Sequence, residues 1–230
     1  MKYFRYYYYG GPIKDTLTEK TKLTCTQKIG FYQTSKIEGL AGRTYTLNIM
    51  VDGKTYNSTS YMPHLPKIDS VSYIYVPFHE MLARVPTIYF SEPQNERNYY
   101  MFQVDESSWL PNQTIIPIVS ANEMVWQFSI LSDEFLESYV YGYTVPTGVS
   151  VNDSREYYGV STEFTVITYS LTQESYLFFK NMIEQFNNDG GAYKLVPATP
   201  PGNISNGALG LFRTSSVKGI HKLIPGTMNE

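Results

Sequence analysis

The sequence predicts a mainly β protein in which one amphipathic helix accompanies many short strands. Tyr is far more abundant than Trp, with 22 Tyr against 2 Trp, and Tyr and Thr favour strands because they suit a pleated, half-buried surface. Short alternating apolar runs between turn residues recur along the chain, a pattern typical of sandwiches and barrels. A single segment has the period of a helix instead.

Charge and cysteine content exclude several classes of protein. The formal net charge is −3 and no long run of either sign occurs, so binding to nucleic acid is not expected. Cys25 is the only cysteine, which excludes an intrachain disulfide. No apolar run approaches the roughly 18 residues of a membrane span.

The N-terminal end does not resemble a lipoprotein signal. Residues 1–9 are too aromatic for a signal peptide, and no apolar stretch precedes Cys25, so Cys25 is not expected to carry a lipid. We expect this aromatic run to be a β-strand instead, one whose preceding partners are absent.

The first predicted domain, residues 1–66, is the remnant of an Ig-like sandwich. Tyr45, Leu47 and Ile49 alternate on one face of a strand, and Asp52-Gly53 is a strong hairpin turn signal. The return strand covers 55–61. The proline-rich stretch 63–66 stops it, which places the domain boundary near Pro66.

The second predicted domain, residues 67–230, is a β-barrel or β-sandwich. Within 98–104, the side chains of Tyr100, Phe102 and Val104 share one face. The predicted strands of this domain are 87–90, 98–104, 115–119, 125–130, 139–145, 163–168 and 208–214.

The helix is predicted at about 171–186. Its apolar residues recur at helical spacing and form one face, consisting of Phe178, Phe179, Met182, Ile183 and Phe186. Ser170 and Gln173 have the spacing of a capping box. The run 187–191 contains residues that tolerate the left-handed conformation and ends the helix. Such a helix is expected to cover a sheet face or an open barrel end.

No catalytic or metal-binding motif is found. His64, His79 and His221 are isolated, and no Gly-x-Ser-x-Gly elbow or phosphate loop occurs. Carboxylate pairs are the best argument for an enzyme, because a glycosidase needs two of them. The acidic residues that could supply such a pair are Asp105, Glu106, Asp133, Glu134, Glu137, Asp153 and Glu156. We therefore predict no catalytic residue, metal or cofactor.

Aromatic residues are the best argument for ligand binding. Tyr139, Tyr141 and Tyr143 are expected on one strand face, and Trp109 in a loop. Such rings combine apolar area with a polar tip and suit glycans or peptides. These four residues are the predicted contact set. The alternative is that the tyrosines simply fill the interior.

Several segments resemble one bacterial family. They are the hairpin residues 41–47 and 52–56, the junction 67–71, the acidic-proline turn at Glu92 before the Asn-Tyr-Tyr strand 98–104, and the run 203–212 with its glycines. These segments resemble the Bacteroidetes cell-envelope lipoproteins called domain of unknown function 4249. The last run is expected to be its closing strand.

The resemblance implies a cellular location and a general role, but no catalytic activity. It implies a non-enzymatic binding or accessory lipoprotein at the outer membrane, partnering a TonB-dependent nutrient receptor. Contact with the membrane would come only through an N-terminal lipid anchor absent from this chain. Two alternatives stay open: a carbohydrate- or peptide-active hydrolase using loop carboxylates, and an adhesin or fimbrial-type sandwich that adds a strand to its partner.

Overall fold

The computed structural model describes residues 24–25, 32–33, 39–78, 81–109, 116–117, 128–145, 151–152, 161–187 and 200–224. The chain divides into two compact units, Met1–Leu40 and Ala41–Glu230. In the first unit, β1 (Thr24–Cys25) pairs antiparallel with β2 (Tyr32–Gln33). The hairpin that follows residue 40 belongs to the second unit. The domain boundary at Pro66 stays a prediction.

The second unit contains a hairpin and two larger antiparallel sheets. The hairpin joins β3 (Thr44–Val51) to β4 (Lys54–Tyr61). The front sheet consists of β5 (Lys67–Phe78), β6 (Met81–Ser91), β10 (Tyr139–Thr144) and β11 (Val151–Asn152). The back sheet consists of β7 (Tyr99–Trp109), β8 (Ile116–Pro117), β9 (Phe128–Ser132), β12 (Ser161–Leu171) and β13 (Val217–Ile224).

The core lies between the front and back sheets. The alternation predicted for β7 is confirmed, since Tyr100, Phe102 and Val104 are all buried. They pack with Ile88 and Phe90 of the front sheet in one cluster. Two sheets that bury facing side chains form a sandwich. In the described part of the chain neither sheet closes on itself, so the barrel alternative is not observed.

The second face of the back sheet is covered by α1 (Gln173–Asn187). Tyr176 of the helix packs on Tyr99, with ring centroids 4.9 Å apart, and Phe179 packs on Phe128 at 5.3 Å. β7 and β12 therefore bury both faces, which explains why Ile167, on the helix side, is as buried as Val166, on the core side.

The helix is observed where its period predicts it, with a different cap. Thr172 is the cap residue, because its Oγ1 accepts from the backbone N–H of Ser175 at 3.2 Å. The proposed capping by Ser170 is wrong: Ser170 is in β12 and donates to the carbonyl of Pro63 at 2.8 Å. The predicted face is half-buried at Phe178, Phe179, Met182 and Ile183. The side chain of Phe186 lies outside the described part of the structure.

The hairpin turn is confirmed in detail. Asp52 and Gly53 both have positive φ, 48° and 74°, and Val51 pairs with Lys54 across the turn. Two successive positive φ values match the twist of the flanking strands. On the predicted face, Tyr45 and Leu47 are half-buried, whereas Ile49, nearer the turn, is 37% exposed.

The predicted strand at 208–214 is wrong, because residues 200–216 form an extended loop and the closing strand is β13. Asn203 holds this loop together: its Nδ2 donates to the carbonyl of Phe212, and its Oδ1 accepts from the Phe212 N–H, both at 2.8 Å. Close backbone approach was expected of its glycines, and it is found. A Cβ on Gly202 would lie 2.1 Å from the Gly210 carbonyl oxygen.

The same loop binds the hairpin. Ser205 donates its N–H to the Asn57 carbonyl at 2.9 Å and accepts the Asn57 N–H on its hydroxyl at 2.7 Å. Further along, Thr214 bonds to Ser60 through both its N–H and its hydroxyl. The loop therefore takes the place of a strand at the edge of β4 without forming a regular ladder.

Candidate functional site

The three tyrosines of β10 do not share one face, contrary to the prediction. Val140 pairs with Phe90 and Tyr143 with Ile88, so three steps along β10 match two steps along β6. This extra residue is a β-bulge. It turns Tyr143 to the same side as Val140, where it packs on the core with its ring 5.5 Å from Phe102. Burial raises the pKa of the Tyr143 hydroxyl.

Gly142 makes the bulge possible. Its φ is +77°, a conformation that L side chains rarely adopt, and a Cβ there would lie 3.2 Å from the hydroxyl of Tyr89. The bulge therefore needs a glycine next to Tyr141. The sequence pattern Tyr-Val-Tyr-Gly-Tyr contains this glycine, which is the signal that could have predicted the bulge.

Tyr139 and Tyr141 stay on the outer surface of the front sheet and join Tyr89 of β6 there. We call these three residues the tyrosine face. The Tyr141 ring lies 5.6 Å from the rings of both Tyr89 and Tyr139. Tyr141 is 86% exposed and Tyr139 is 37% exposed. The hydroxyl of Tyr139 hydrogen-bonds to the carboxylate of Asp69, which gives the face a polar border.

Trp109 was predicted to lie in a loop, and this is wrong. It is the last residue of β7 and pairs with Ser161. Tyr100 of the same strand contacts Phe90, near the tyrosine face. Nine residues of extended strand separate Tyr100 from Trp109, a distance of roughly 30 Å. The structure therefore places the backbone of Trp109 far from Tyr139 and Tyr141.

The predicted polar candidates are dispersed. The Nδ1 of His221 lies 2.7 Å from the Thr165 hydroxyl and 3.7 Å from a Glu163 oxygen. Both contacts use one ring nitrogen, whereas a catalytic relay uses both. Asp153, Glu156 and the Glu106 side chain lie outside the described part of the structure. Within that part, no cluster of three or more metal-ligating side chains occurs.

A buried carboxyl network was missed by the sequence analysis. Glu92 is only 4% exposed and accepts from the Tyr100 hydroxyl and from Asn98 Nδ2. Asp133 extends the network, since its Oδ2 accepts from the Asn98 N–H at 2.7 Å. Its Oδ1 lies 3.5 Å from Arg97 Nη1. We call Glu92, Asn98, Tyr100 and Asp133 the Glu92 network.

This network fixes the turn 93–98 that connects the two sheets. Burial raises the pKa of the Glu92 carboxyl, hydrogen bonds from Tyr100 and Asn98 lower it, and the charge of Asp133 raises it further. The acidic-proline turn before Asn-Tyr-Tyr was noticed in the sequence. The structure explains this pattern, because Asn98 and Tyr100 both donate hydrogen bonds to the carboxyl of Glu92, which precedes the turn.

One side of this turn borders a cleft of about 280 Å³. Its walls are the end of β4 with the following residues, the turn itself, and the start of α1. The lining residues are Tyr61, Pro63, His64, Glu96, Arg97, Asn98, Tyr99, Leu171, Thr172 and Gln173. Because these residues come from three distant parts of the sequence, no local motif reveals the cleft.

The turn 93–98, which we call the Glu92 turn, the cleft and the tyrosine face all fall within one family match. A family model described as a domain of unknown function (DUF4249) matches residues 8–220. The chain belongs to the DUF4249 family. No match was found among curated proteins or among solved structures. In the described part of this DUF4249 protein, no helix has the length and apolar character of a membrane span.

Proposed function

We propose that this protein is a non-enzymatic binding module of the bacterial cell envelope, with the tyrosine face as its ligand-contacting surface. The observation that carries the proposal is the geometry of Tyr141. Its ring is 86% exposed and yet is held by two neighbouring tyrosine rings, each 5.6 Å away. A ring that is ordered before binding loses little conformational entropy when a ligand stacks on it.

The chemistry of this surface supports binding rather than turnover. Its border carries Asp69, which bonds to Tyr139 and lies 3.5 Å from Lys67 Nζ. These groups can orient a glycan or peptide through hydrogen bonds. The most deeply buried described carboxyl, Glu92, already accepts from Tyr100 and Asn98, which supports a structural role for it.

The resemblance to Bacteroidetes lipoproteins supplies the setting of the proposal. By analogy, the module is anchored at the outer membrane as a lipoprotein and delivers its ligand to a TonB-dependent receptor. Family analogy can suggest such a role, whereas the binding chemistry has to be argued from the surface itself.

Tyr141→Ala is the variant that tests the binding surface. We expect the wild-type protein to be retained on at least one member of an immobilised panel of glycans and peptides. Tyr141→Ala should weaken that retention by about 2- to 13-fold, the effect of one aromatic contact. Phe135→Ala is the matched control, because Phe135 is 91% exposed but lies in the short helix at Asp133–Phe135.

Two results would count against the proposal. If Tyr141→Ala and Phe135→Ala retain the ligand equally well, the tyrosine face is not the contact surface. If the retained glycan or peptide is cleaved, and cleavage is lost on replacing one carboxylate, the protein is an enzyme.

A further inference from the structure

We propose that the cleft beside the Glu92 turn is a second binding site, which accepts a single neutral sugar residue. The cleft and the tyrosine face have no lining residue in common, so this inference does not depend on the proposed function. It rests on how the walls are held, on the size of the cleft, and on the side chains that line it.

Each wall of the cleft is fixed by hydrogen bonds or by a ring contact. The Pro63 carbonyl accepts from the hydroxyls of Ser170 and Ser216, at 2.8 and 2.6 Å. Asn98 is held by Glu92 and Asp133. Tyr99 packs against Tyr176 of the helix. A site whose walls are set by its supporting contacts needs little reorganisation to bind.

His64 is positioned by the chain around it. Gly42 has a φ of +81°, and a Cβ there would come 3.0 Å from His64 Nε2. The N–H of Gly42 also donates to the Met62 carbonyl at 2.8 Å. The histidine therefore rests against a glycine that leaves room for its ring at the edge of the cleft.

The charged side chains Arg97 and Glu96 that line the cleft have opposite sign. Arg97 also lies 3.5 Å from Asp133, so its charge already has a partner. Glu174, in the first turn of α1, offsets the partial positive charge of the helix start. Neither an anion nor a cation gains much in such a field. A neutral ligand fits it better.

The lining side chains match a sugar among neutral ligands. Among the lining residues, Tyr61 and Tyr99 have aromatic rings, and Glu96, Arg97 and Gln173 have planar polar groups that donate or accept hydrogen bonds. Sugar hydroxyls both donate and accept, and the ring carbons stack on aromatic faces. The volume of about 280 Å³ lies below the range of drug-sized ligand pockets, which begins at roughly 300 Å³. One ring is therefore the expected occupant.

The test is a calorimetric and NMR titration of the full chain with glucose, galactose and N-acetylglucosamine. Acetate, an anion, and glycine, a zwitterion without net charge, are included as probes that are not sugars. We expect saturable binding of at least one sugar at millimolar concentration, the affinity of a ligand with few contacts. The NMR shifts of the wild-type protein should centre on the cleft.

The variants Gln173→Ala and Arg97→Lys should weaken this sugar binding by roughly 2- to 10-fold, the effect of losing one hydrogen bond. Both side chains are exposed, so the variants should stay folded. Phe135→Ala is the control, because Phe135 is 91% exposed and does not line the cleft, and it should bind the sugar as the wild type does. Retention of Tyr141→Ala on the glycan panel is a separate readout, so the two proposals can fail independently.

Three outcomes would overturn this inference. The first is that no sugar binds saturably, and the second is that only acetate or glycine binds. The third is that a sugar binds but neither Gln173→Ala nor Arg97→Lys changes its affinity.

Discussion

The hydroxyl of Tyr100 lies 2.8 and 3.0 Å from the two carboxylate oxygens of Glu92, with both residues buried in the sandwich. A carboxylate can only accept, so the Tyr100 hydroxyl is the donor in this pair. The pair joins the last residue before the turn 93–98 to the strand after it. The turn is thus tied at its base by a carboxyl group inside the core.

Replacing Glu92 with Gln should change the pH dependence of stability. Burial raises the pKa of Glu92 above its ordinary value of 4.5. The folded state therefore binds more protons than the unfolded state above that pH, and stability falls as pH rises towards the folded pKa. Gln keeps an acceptor for Asn98 and does not titrate. Urea melts from about pH 4 to pH 8 should show this fall in the wild type only.

The difference between the two stability curves isolates Glu92 from other titrating groups. Parallel curves for the wild type and Glu92→Gln would show that Glu92 does not titrate abnormally. Glu92→Ala is the complementary variant. It leaves the Tyr100 and Asn98 donors without their acceptor and should cost about 1–3 kcal/mol.

Phe102→Ala and Phe179→Ala should differ in their cost. Phe102 is 1% exposed in the sandwich core, so its loss should cost about 3–5 kcal/mol. Phe179 is half-buried between Phe128 and Arg213, and its loss should cost about 1–3 kcal/mol. Denaturant melts measure both. Equal losses would mean that the helix layer is as essential to the fold as the core.

Gly142→Ala should destabilise the protein more than Gly53→Ala. Both glycines have positive φ, +77° and +74°, but only Gly142 would place its Cβ near Tyr89. The shared backbone strain costs about 1–3 kcal/mol. Thermal melts should show a larger loss for Gly142→Ala because Tyr89 must also move. Equal melting temperatures would mean that the Tyr89 side chain can move away from the new Cβ without a cost in stability.

Asn203→Ala should loosen the loop 200–216. The variant removes both hydrogen bonds to the Phe212 backbone and should cost about 1–3 kcal/mol. Asn95→Ala is the control, because Asn95 is an exposed turn residue and its replacement should change stability by less than about 0.5 kcal/mol. Hydrogen exchange at the Phe212 amide is the direct measurement. Unchanged protection there would contradict the bridging role of Asn203.

Much of the fold could be predicted from local patterns. The alternation of Tyr100, Phe102 and Val104 and the Asp52-Gly53 turn both depend on neighbouring residues, and both are confirmed. The position of Tyr143 could not be predicted by alternation, because one bulge residue reverses every side chain beyond it. The helix cap was misplaced by two residues for a similar reason: Ser170 has a distant partner, Pro63.

The candidate sites were harder to predict than the fold. The aromatic residues of the tyrosine face could be named, although Tyr89, its third member, lies on another strand. The cleft is formed by segments far apart in sequence, so no short sequence motif could predict which residues line it. A strand was predicted at 208–214 from its glycines and apolar residues. The loop 200–216 is instead held through the side chains of Asn203 and Ser205, whose partners are distant in sequence or across the loop.

The contact between Asn57 and Ser205 spans 148 residues of chain. During synthesis on the ribosome, the hairpin therefore emerges long before the segment that holds its edge exists. The strands β5 to β12 and the helix α1 are synthesised before the segment that contacts β4. Contacts of such long sequence separation slow folding. Until those last residues arrive, the edge of β4 that they later cover presents unpaired backbone groups, which are a template for pairing with another chain.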